Sequence, residues 1–436
     1  MAKRKSTRVR GASASGAGVS SATEALLLAA LERGDGSFET GRYLVTYREG
    51  AAAAGVKALK ARGLSIADAR DFKEQAVTMQ DVGDADALNF PEIGVALVGG
   101  PSLQARGLSA VDAVSADGPI EAIEPEYFAF AENSEYLRGF LRAASTIARD
   151  LGAGAGAAAG VEDEIEAEAV GATWGLIACK VPPSLKSGLG IKVAVLDTGM
   201  DLGHPDFAGR AFTTATFVGE PVQDLHSHGT HCIGTSCGPK TPPGTIPRYG
   251  IAYKARIFVG KVLTNSGGGT TASVLAGMNW AIANRCQVIS MSLGAQTGVQ
   301  AAYTAAGNAA LANGCLIIAA AGNAASNTGA PANSPTIMSV ASLDQSPLAP
   351  SSFSNFGKVE IAAPGRDVFS SVPRPTRYGT KSGTSMATPH VAGCAALWAQ
   401  SSPTLRALAL WRKLQATARP LPFPVARVGR GLVQAP

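Results

Sequence analysis

Several features that would assign a chain to a particular class are missing from this 436-residue sequence. Charged residues make up 16% of it and the net charge is a mild +5, with no basic stripe beyond the first ten residues, so nucleic-acid binding is not indicated. No apolar run is long enough to span a membrane. The longest early run, Ala25–Leu31, lacks a following small-residue cleavage site, and we interpret it as a short helix, with an atypical export signal left open.

Paired cysteine spacing is also absent. None of the six cysteines forms a Cys-x-x-Cys pair, and a chain of this length does not need a disulfide framework. We expect most of them to be small buried core residues, with one bridge left open. Cysteine usage therefore does not indicate the compartment, which stays unknown at this stage.

The chain is 46% hydrophobic and holds 51 glycines, which is typical of a well-buried globular protein with many turns. We predict a disordered segment over 1–41, followed by a small α+β domain of the ferredoxin-like β-α-β-β-α-β kind over 42–131. An Ala/Gly-rich and acidic linker over 132–171 contains "GAGAGAAAG" and "EDEIEAE". A larger domain then fills 172–436.

The larger domain has the pattern of an α/β fold. Short, nearly continuous apolar runs such as "IKVAVLD" and "CLIIAAAGN" alternate with helical patterns. Runs of this kind predict a mostly parallel sheet sandwiched by helices, with right-handed crossovers. Functional residues in such sheets gather where strands end at their carboxyl side, and Asp197 and Asn323 both follow apolar runs in that way.

The run "VAVLDTGMD" presents an aspartate that two protease chemistries could use. Paired aspartates can share a proton, but a second Asp-Thr-Gly is absent and the surroundings are not β-rich, so that hypothesis is rejected. Three histidines in "DLHSHGTHC", His226, His228 and His231, are spaced like the zinc-binding run of metallo-β-lactamase-type hydrolases. Thr230 stands where those enzymes carry an aspartate, which disfavours zinc without removing it.

A serine opens the last helical pattern, "GTSMATPHVAGCAALWA". Because this helix is apolar on nearly all sides, it is predicted to be buried, with Ser385 at its positive end. Together, "VAVLDTGMDLGHPDF", "HGTHCIGT" and "GTSMATPHVAG" resemble the three signature blocks of the subtilisin-like serine proteases, and the resemblance extends from Trp174 to Pro436. The order Asp, His, Ser is that of the family.

The resemblance implies a role for each matched residue. Ser385 would be the nucleophile, His228 the general base and acid, and Asp197 the group that orients the imidazole. Asn323 matches the asparagine that, with the Ser385 backbone N–H, stabilises the oxyanion. Cys232 resembles the thiol of the proteinase K-like branch, where a cysteine lies under the histidine.

Substrate contacts follow from the same resemblance. The glycines of "NSGGGTT" match an edge strand that pairs with the substrate, and "MSLGA" and "AAG" match the walls of the pocket before the scissile bond. The predicted substrate-binding residues are Gly267, Gly268, Gly269, Ser292, Leu293, Gly294, Ala321 and Gly322. Their small, apolar character favours cleavage after bulky apolar residues. No cofactor is needed for the chemistry, and Asp206 leaves a structural calcium ion possible but not established.

The segment 42–131 resembles the propeptide of the family, so we expect the protein's own N-terminal part to act as an intramolecular inhibitor, with self-cleavage near Phe130–Glu132. The long linker after it is unusual for the family and leaves the processing point in doubt. We further expect protein or peptide substrates and a monomer. Family members are mostly secreted, but no clear signal segment is seen. A catalytically silent, peptide-binding protein and a dedicated maturation protease for one partner remain as alternatives.

Overall fold

The structure is a computed structural model that describes residues 23–33, 38–78, 81–105, 117–131 and 171–436. Within these ranges, no helix is both long enough and apolar enough to cross a membrane. The predicted linker 132–171 lies outside the described residues except for Gly171.

The N-terminal unit is a small α+β fold built around an antiparallel sheet. The strand order is β2-β3-β4-β1-β5, and only the short β2 runs parallel to its neighbour. Its elements are α1 (Thr23–Arg33), β1 (Glu39–Tyr47), α2 (Ala52–Ala61), β2 (Ile66–Asp68), β3 (Ala87–Phe90), β4 (Val95–Val98), α3 (Gly100–Ala105) and β5 (Ile120–Phe130). From β1 to β5 the order is β-α-β-β-β-α-β, which differs from the expected β-α-β-β-α-β pattern by the short additional strand β2.

One prediction about this region is wrong. Helix α1 and the first residues of β1 lie inside the segment 1–41 for which the composition predicts disorder. Leu26 of α1 is buried against Phe128 and Phe130 of β5, so the helix gains a partner that composition alone does not reveal. Composition predicts disorder correctly only for a segment that does not pack against another part of the protein.

The larger unit carries a seven-stranded sheet in which every pair of neighbours is parallel, in the order β13-β12-β11-β10-β6-β8-β7. Its elements are α4 (Trp174–Ala178), β6 (Lys192–Asp197), β7 (Phe212–Thr216), α5 (His228–Cys237), β8 (Arg256–Lys261), β9 (Gly268–Thr270), α6 (Thr271–Ala283), β10 (Val288–Met291), α7 (Ala301–Ala312), β11 (Leu316–Ala320), β12 (Met338–Leu343), β13 (Ile361–Pro364), β14 (Val368–Ser371), β15 (Tyr378–Lys381), α8 (Thr384–Ser401), α9 (Ala407–Thr417) and α10 (Val425–Val428). The predicted α/β fold is confirmed.

Both faces of this sheet are covered. Along β6, Val193 and Val195 belong to the core on the side of α5 and α8, while Ala194 and Leu196 belong to the core on the side of α6 and α7. Alternate side chains of a strand point to opposite faces, so a strand buried on both faces must be apolar throughout. This is why the strands appear in the sequence as unbroken apolar runs.

The two units share one sheet. Strand β5 pairs antiparallel with β9, with Phe128 opposite Thr270, Ala129 opposite Gly269 and Phe130 opposite Gly268. Strand β9 of the larger unit is thus the sixth strand of the N-terminal sheet. The end of β5 is thereby placed at the carboxyl edge of the parallel sheet.

Candidate active site

The aspartate and the first histidine of the signature blocks are in direct contact. Asp197 ends β6 and His228 begins α5, and the Asp197 Oδ1 atom lies 2.8 Å from His228 Nδ1. Both side chains are about 1% exposed. A Cβ atom at Gly229 would lie 2.3 Å from the carbonyl oxygen of Gly199, so only glycine lets α5 approach the loop after β6 this closely.

Charge and burial act in opposite directions on His228. Burial is the largest single influence and lowers the pKa of its imidazole, but the charge of Asp197, the hydrogen bond to it and the neighbouring Cys232 together raise the pKa well above its usual value. Because Asp197 faces Nδ1, the proton of the neutral ring is held on Nδ1. The Nε2 atom is buried and has no hydrogen-bond partner among the described residues, so it is placed to accept a proton.

Ser385 is the second residue of the buried helix α8 and is 5% exposed. Its hydroxyl donates to the carbonyl oxygens of Ser292 at 3.2 Å and Ala131 at 3.3 Å. No hydrogen bond joins the hydroxyl to His228 Nε2, although Ser385 and His228 line the same cavity.

Asn323 follows β11 and is clamped by the residue before the serine. Its Oδ1 atom accepts hydrogen bonds from the backbone N–H and the hydroxyl of Thr384, both at 2.8 Å. The Thr384 hydroxyl oxygen in turn accepts from the Gly322 N–H at 3.1 Å. These bonds define the oxygen end of the carboxamide, so the NH₂ end is turned to the other side, in the cavity that Ser385 also lines.

The three histidines of the zinc hypothesis do not converge. His231 Nε2 donates to the Val368 carbonyl at 2.8 Å, and His228 is bound to Asp197. Burial lowers the pKa of His231 to about 3, so this ring is neutral. Within the described ranges, Asp197, His228 and Cys232 are the one group of possible metal ligands, and Asp197 and His228 are already bonded to each other. The zinc-binding run is therefore rejected in favour of the Asp–His contact.

Cys232 lies beneath the histidine, as the resemblance implies. Its Sγ atom is 3.9 Å from His228 Nδ1 and donates to the Ser385 carbonyl oxygen at 3.6 Å. Burial raises the pKa of the thiol, so it is protonated and unreactive at neutral pH. All six cysteines are buried free thiols in the described part of the chain.

The cleft beside Ser385 is filled by the end of β5. The Ala131 N–H donates to the Gly267 carbonyl, and Phe130 exchanges both backbone hydrogen bonds with Gly294, each at 3.0 Å. The end of β5 is thus held between two edges, β9 on one side and the segment at Gly294 on the other. A peptide added to a sheet edge in this way is bound through its backbone, with little dependence on its side chains.

The remaining predicted pocket residues surround the same position. An open cavity is lined by Leu293, Gly294, Ala321 and Gly322, together with Asn323 and Ser385. Among the described residues that line it, none is charged, although Gln296 is polar. Ser292 contributes its carbonyl to Ser385 and its own hydroxyl to the Ser385 carbonyl at 2.7 Å. The structure therefore brings all predicted site residues to one cleft.

Asp206 does not fit the calcium role that the sequence leaves possible. Its two carboxylate oxygens accept hydrogen bonds from the hydroxyls of Tyr249 at 2.5 Å and Tyr378 at 2.7 Å. Burial and the neighbouring carboxylate raise the pKa of both tyrosines, so these are neutral donors. Calcium needs six to eight oxygen ligands, several of them charged. The Asp206 carboxylate instead accepts hydrogen bonds from two tyrosine hydroxyls.

Two carboxylates of β5 bind helix N-termini of the larger unit. Glu124 accepts from the N–H groups of Ala301 and Ala302 at the start of α7, at 3.0 and 2.8 Å. Glu126 accepts from the Ala272 N–H at the start of α6 and pairs with Arg42 at 2.6 Å. An acidic group at a helix N-terminus satisfies unpaired N–H groups and complements the helix dipole.

Sequence reasoning missed several of these residues. Thr384 directly precedes Ser385 in "GTSM", so its place beside the serine could be read from the sequence. Its hydrogen bond to Asn323, which is 61 residues away, could not. Asp224 stands four residues before His228, and only the fold shows how many backbone groups it binds. Glu124 and Glu126 alternate along "IEAIEPE", a spacing that places both on one face of a strand.

The residues gathered at this edge of the sheet are those that a serine hydrolase needs. A family model for the subtilase family matches residues 188–431, more than half of the chain. Subtilisin E of Bacillus subtilis (strain 168) is 37% identical over 269 residues, covering 59% of this chain and 69% of that protein. Subtilisin Savinase of Lederbergia lenta is 39% identical over 269 residues, covering 60% and 96%.

An alkaline protease of Shouchella clausii is 39% identical over 279 residues, covering 62% of this chain and 71% of that protein. The chain belongs to the subtilase family. It is a serine-type endopeptidase, and its substrates are proteins or peptides.

Proposed function

We propose that this protein is made as a self-processing zymogen whose peptidase unit uses Ser385, His228, Asp197 and Asn323. The observation that carries the proposal is the position of β5, whose end occupies the cleft with the Ala131 carbonyl oxygen 3.3 Å from the Ser385 hydroxyl oxygen. A strand of the chain itself is bound there as a substrate would be.

In the proposed reaction, His228 Nε2 removes the Ser385 hydroxyl proton as Oγ attacks the carbonyl carbon of the scissile bond. The carbonyl π electrons move to oxygen, and the oxyanion is stabilised by the Asn323 NH₂ group and the Ser385 N–H. Asp197 keeps the Nδ1 proton in place and stabilises the imidazolium. The imidazolium then protonates the leaving amine, and water, deprotonated by His228, releases the acyl group.

The preference for bulky apolar residues before the scissile bond rests on the cavity lined by Ala320, Ala321 and Gly322, in which no described residue carries a charged side chain. An uncharged pocket gives a cationic side chain no counter-charge after it leaves water. A peptide-library cleavage profile tests this preference. Strong selection of Arg or Lys would contradict it, and selection of one long sequence would favour the dedicated maturation protease.

Inhibition by the N-terminal unit is supported by its contacts. Glu126 is fully buried at the junction, where it binds both Arg42 and the start of α6. Asn279 of α6 accepts a hydrogen bond from the Glu92 N–H at 2.9 Å and donates one to Gln75 Oε1 at 2.7 Å. These contacts fix the unit on the surface beside the cleft while β5 fills the cleft, so a substrate is excluded.

Self-processing is tested with the full chain and its Ser385→Ala variant. The wild type should label with a fluorophosphonate and release an N-terminal fragment, while the variant should do neither. The intact mass of that fragment should place its new end at Ala131 or Glu132, independently of later trimming of the acidic segment. A Ser385→Ala chain that matured unaided would contradict self-processing, and unlabelled wild type would favour the catalytically silent alternative.

A further inference from the structure

A buried carboxylate behind the Asp–His pair organises the loop that presents the histidine. Asp224 is fully buried, and its Oδ1 atom accepts from the Thr198 hydroxyl and from the N–H groups of His226 and Ser227, at 2.9 to 3.0 Å. Its Oδ2 atom accepts from the Thr230 N–H at 2.9 Å and the Thr230 hydroxyl at 2.7 Å. One side chain therefore receives five hydrogen bonds.

The position of these bonds matters because His228 is the first residue of α5. Ser227 is the residue before the helix; it has a left-handed backbone with φ of 83° and makes no capping hydrogen bond with its own side chain. The first N–H groups of a helix have no partner within it, and a helix start without a cap frays. Asp224 supplies that cap from outside the helix.

Thr198 joins this cap to the aspartate. Its hydroxyl donates to Asp224 and accepts from the Gly229 N–H at 2.9 Å, while its own N–H donates to Asp197 Oδ1 at 2.8 Å. One residue thus contacts the residue after His228 and the carboxylate that holds His228. Lys261 Nζ, from a fully buried side chain, donates to the Thr198 carbonyl at 2.5 Å.

We propose that Thr198 and Asp224 are positioning residues that hold His228 and Asp197 in register. The proposal rests on the catalytic roles assigned above. The Thr198 hydroxyl bonds both the helix start, at the Gly229 N–H, and the Asp224 carboxylate that caps it. Without this hydroxyl, the orientation of the imidazole relative to the Asp197 carboxylate is less well fixed. Small displacements of a catalytic group lower kcat more than they weaken substrate binding.

The isosteric change Thr198→Val removes the hydroxyl and keeps the shape. We expect kcat to fall about tenfold with KM nearly unchanged, the low-field Nδ1–H proton signal of His228 to broaden, and Thr198→Ser to restore both. Thr235→Val is the matched control, because Thr235 is also buried and its hydroxyl bonds only the His231 carbonyl within α5.

A Thr198→Val enzyme with wild-type kcat and an unchanged proton signal would overturn the proposal, while fluorophosphonate labelling of Ser385 would show that the peptidase assignment still holds. If Thr198→Val does not fold, Thr198→Ala and Asp224→Asn provide the same kcat-against-KM comparison. An equal loss of kcat in Thr235→Val would also overturn it, because general destabilisation would then explain the result.

A separate observation concerns helix α1, which covers the strand that fills the cleft. Leu26 packs with Phe128 and Phe130 of β5, and these three are at most 9% exposed. Phe38, just before β1, makes an edge contact with Phe130 at 6.4 Å between ring centroids, and its carbonyl accepts from the Phe128 N–H. The helix also contacts β9, the strand that binds β5 from the larger unit.

We infer that α1 is a latch that slows the departure of β5 from the cleft. This inference rests on the proposed inhibitory role of the N-terminal unit. Backbone pairing alone holds a strand with little specificity, whereas burying phenyl rings under a helix adds apolar contacts that must break before the strand can leave. Leu28 lies on the outer side of α1, where it is 61% exposed, and takes no part in this contact.

The full chain with Leu26→Ser is compared with Leu28→Ser, a matched change on the exposed side. After processing, the Leu26→Ser complex should cleave a small peptide roughly tenfold faster than wild type, the scale set by loss of one buried leucine. The Leu28→Ser complex should match wild type, and all three enzymes should be equal once the N-terminal fragment has been degraded.

Equal early activity in Leu26→Ser and Leu28→Ser would overturn the latch. Wild-type enzyme that is fully active directly after processing would instead contradict the proposed inhibitor, so the two failures are distinguishable. If Leu26→Ser is not processed, Leu26→Ala tests the same contact with a smaller change.

Discussion

The carbonyl oxygen of Ala131 accepts a hydrogen bond from the Ser385 hydroxyl, across 254 residues of sequence. The same hydroxyl oxygen lies 3.2 Å from the Ser292 carbonyl oxygen, so the two carbonyls compete for its one proton. The strand in the cleft therefore places its own carbonyl oxygen within hydrogen-bond distance of the proposed nucleophile.

The amide of Asn323 gives the first prediction. Asn323→Ala should lower kcat by about 10²- to 10³-fold, a magnitude known for the corresponding loss in subtilisin itself, while KM changes little. Thr384→Val should lower kcat by about tenfold, because a donor that is only misoriented still stabilises part of the oxyanion charge. Steady-state kinetics on a small peptide measure both.

Thr417→Val serves as the control for Thr384→Val, because the Thr417 hydroxyl bonds only a backbone carbonyl of α9. Normal kcat in Asn323→Ala would refute the assignment of this amide to the oxyanion.

The charge of Asp197 gives the second prediction. Since Asp197 raises the pKa of His228 against the effect of burial, Asp197→Asn should lower that pKa. Titration of the His228 ring signals by NMR, in the Ser385→Ala background to prevent processing, measures the change. An unchanged or higher pKa in the double variant would show that another group supports the charged imidazole.

Acid stability gives the third prediction. Burial lowers the pKa of His390 to about 4 and that of His231 to about 3, from 6.5 in the unfolded chain. The unfolded state therefore binds protons that the folded state does not, and stability is lost as the pH falls below 6.5. Each histidine contributes about 1.4 kcal/mol per pH unit in that range.

Urea unfolding of the Ser385→Ala chain at pH 7 and pH 5 should therefore show a loss of about 4 kcal/mol from these two rings together. His228 works in the opposite direction, because its raised pKa stabilises the folded form below pH 6.5 and loses that effect only as the pH rises through the folded value. His390→Gln should remove about half of the loss, and an undiminished loss would contradict the assignment.

Asp206 gives the fourth prediction. Because two neutral phenols satisfy its carboxylate, excess chelator should leave the thermal midpoint and the activity unchanged. Tyr378→Phe should lower the free energy of unfolding by about 1–2 kcal/mol, since one buried carboxylate oxygen loses its donor. A thermal midpoint that falls in chelator and recovers with added calcium would contradict this reading of the site.

Much of the fold and the site was visible in the sequence, for reasons that differ from residue to residue. The buried parallel strands are recognisable because both faces demand apolar residues, and Asp197, His228 and Ser385 lie in distinctive runs. The partners of Asp206 were not predictable, because Tyr249 and Tyr378 are remote from it in sequence. Helix α1 was misjudged because its stability comes from Phe128 and Phe130, about a hundred residues away.

The strand pairing between β5 and β9 carries a further consequence for how this enzyme would behave at different concentrations. While the chain is intact, the tether gives the strand an effective concentration on the order of millimolar at its binding edge. Once the tether is cut, occupancy of the edge depends on how much protein is in solution. Under the proposed inhibition, a concentrated preparation would be inhibited by its own cut N-terminal fragment, and dilution would release the fragment and raise the activity.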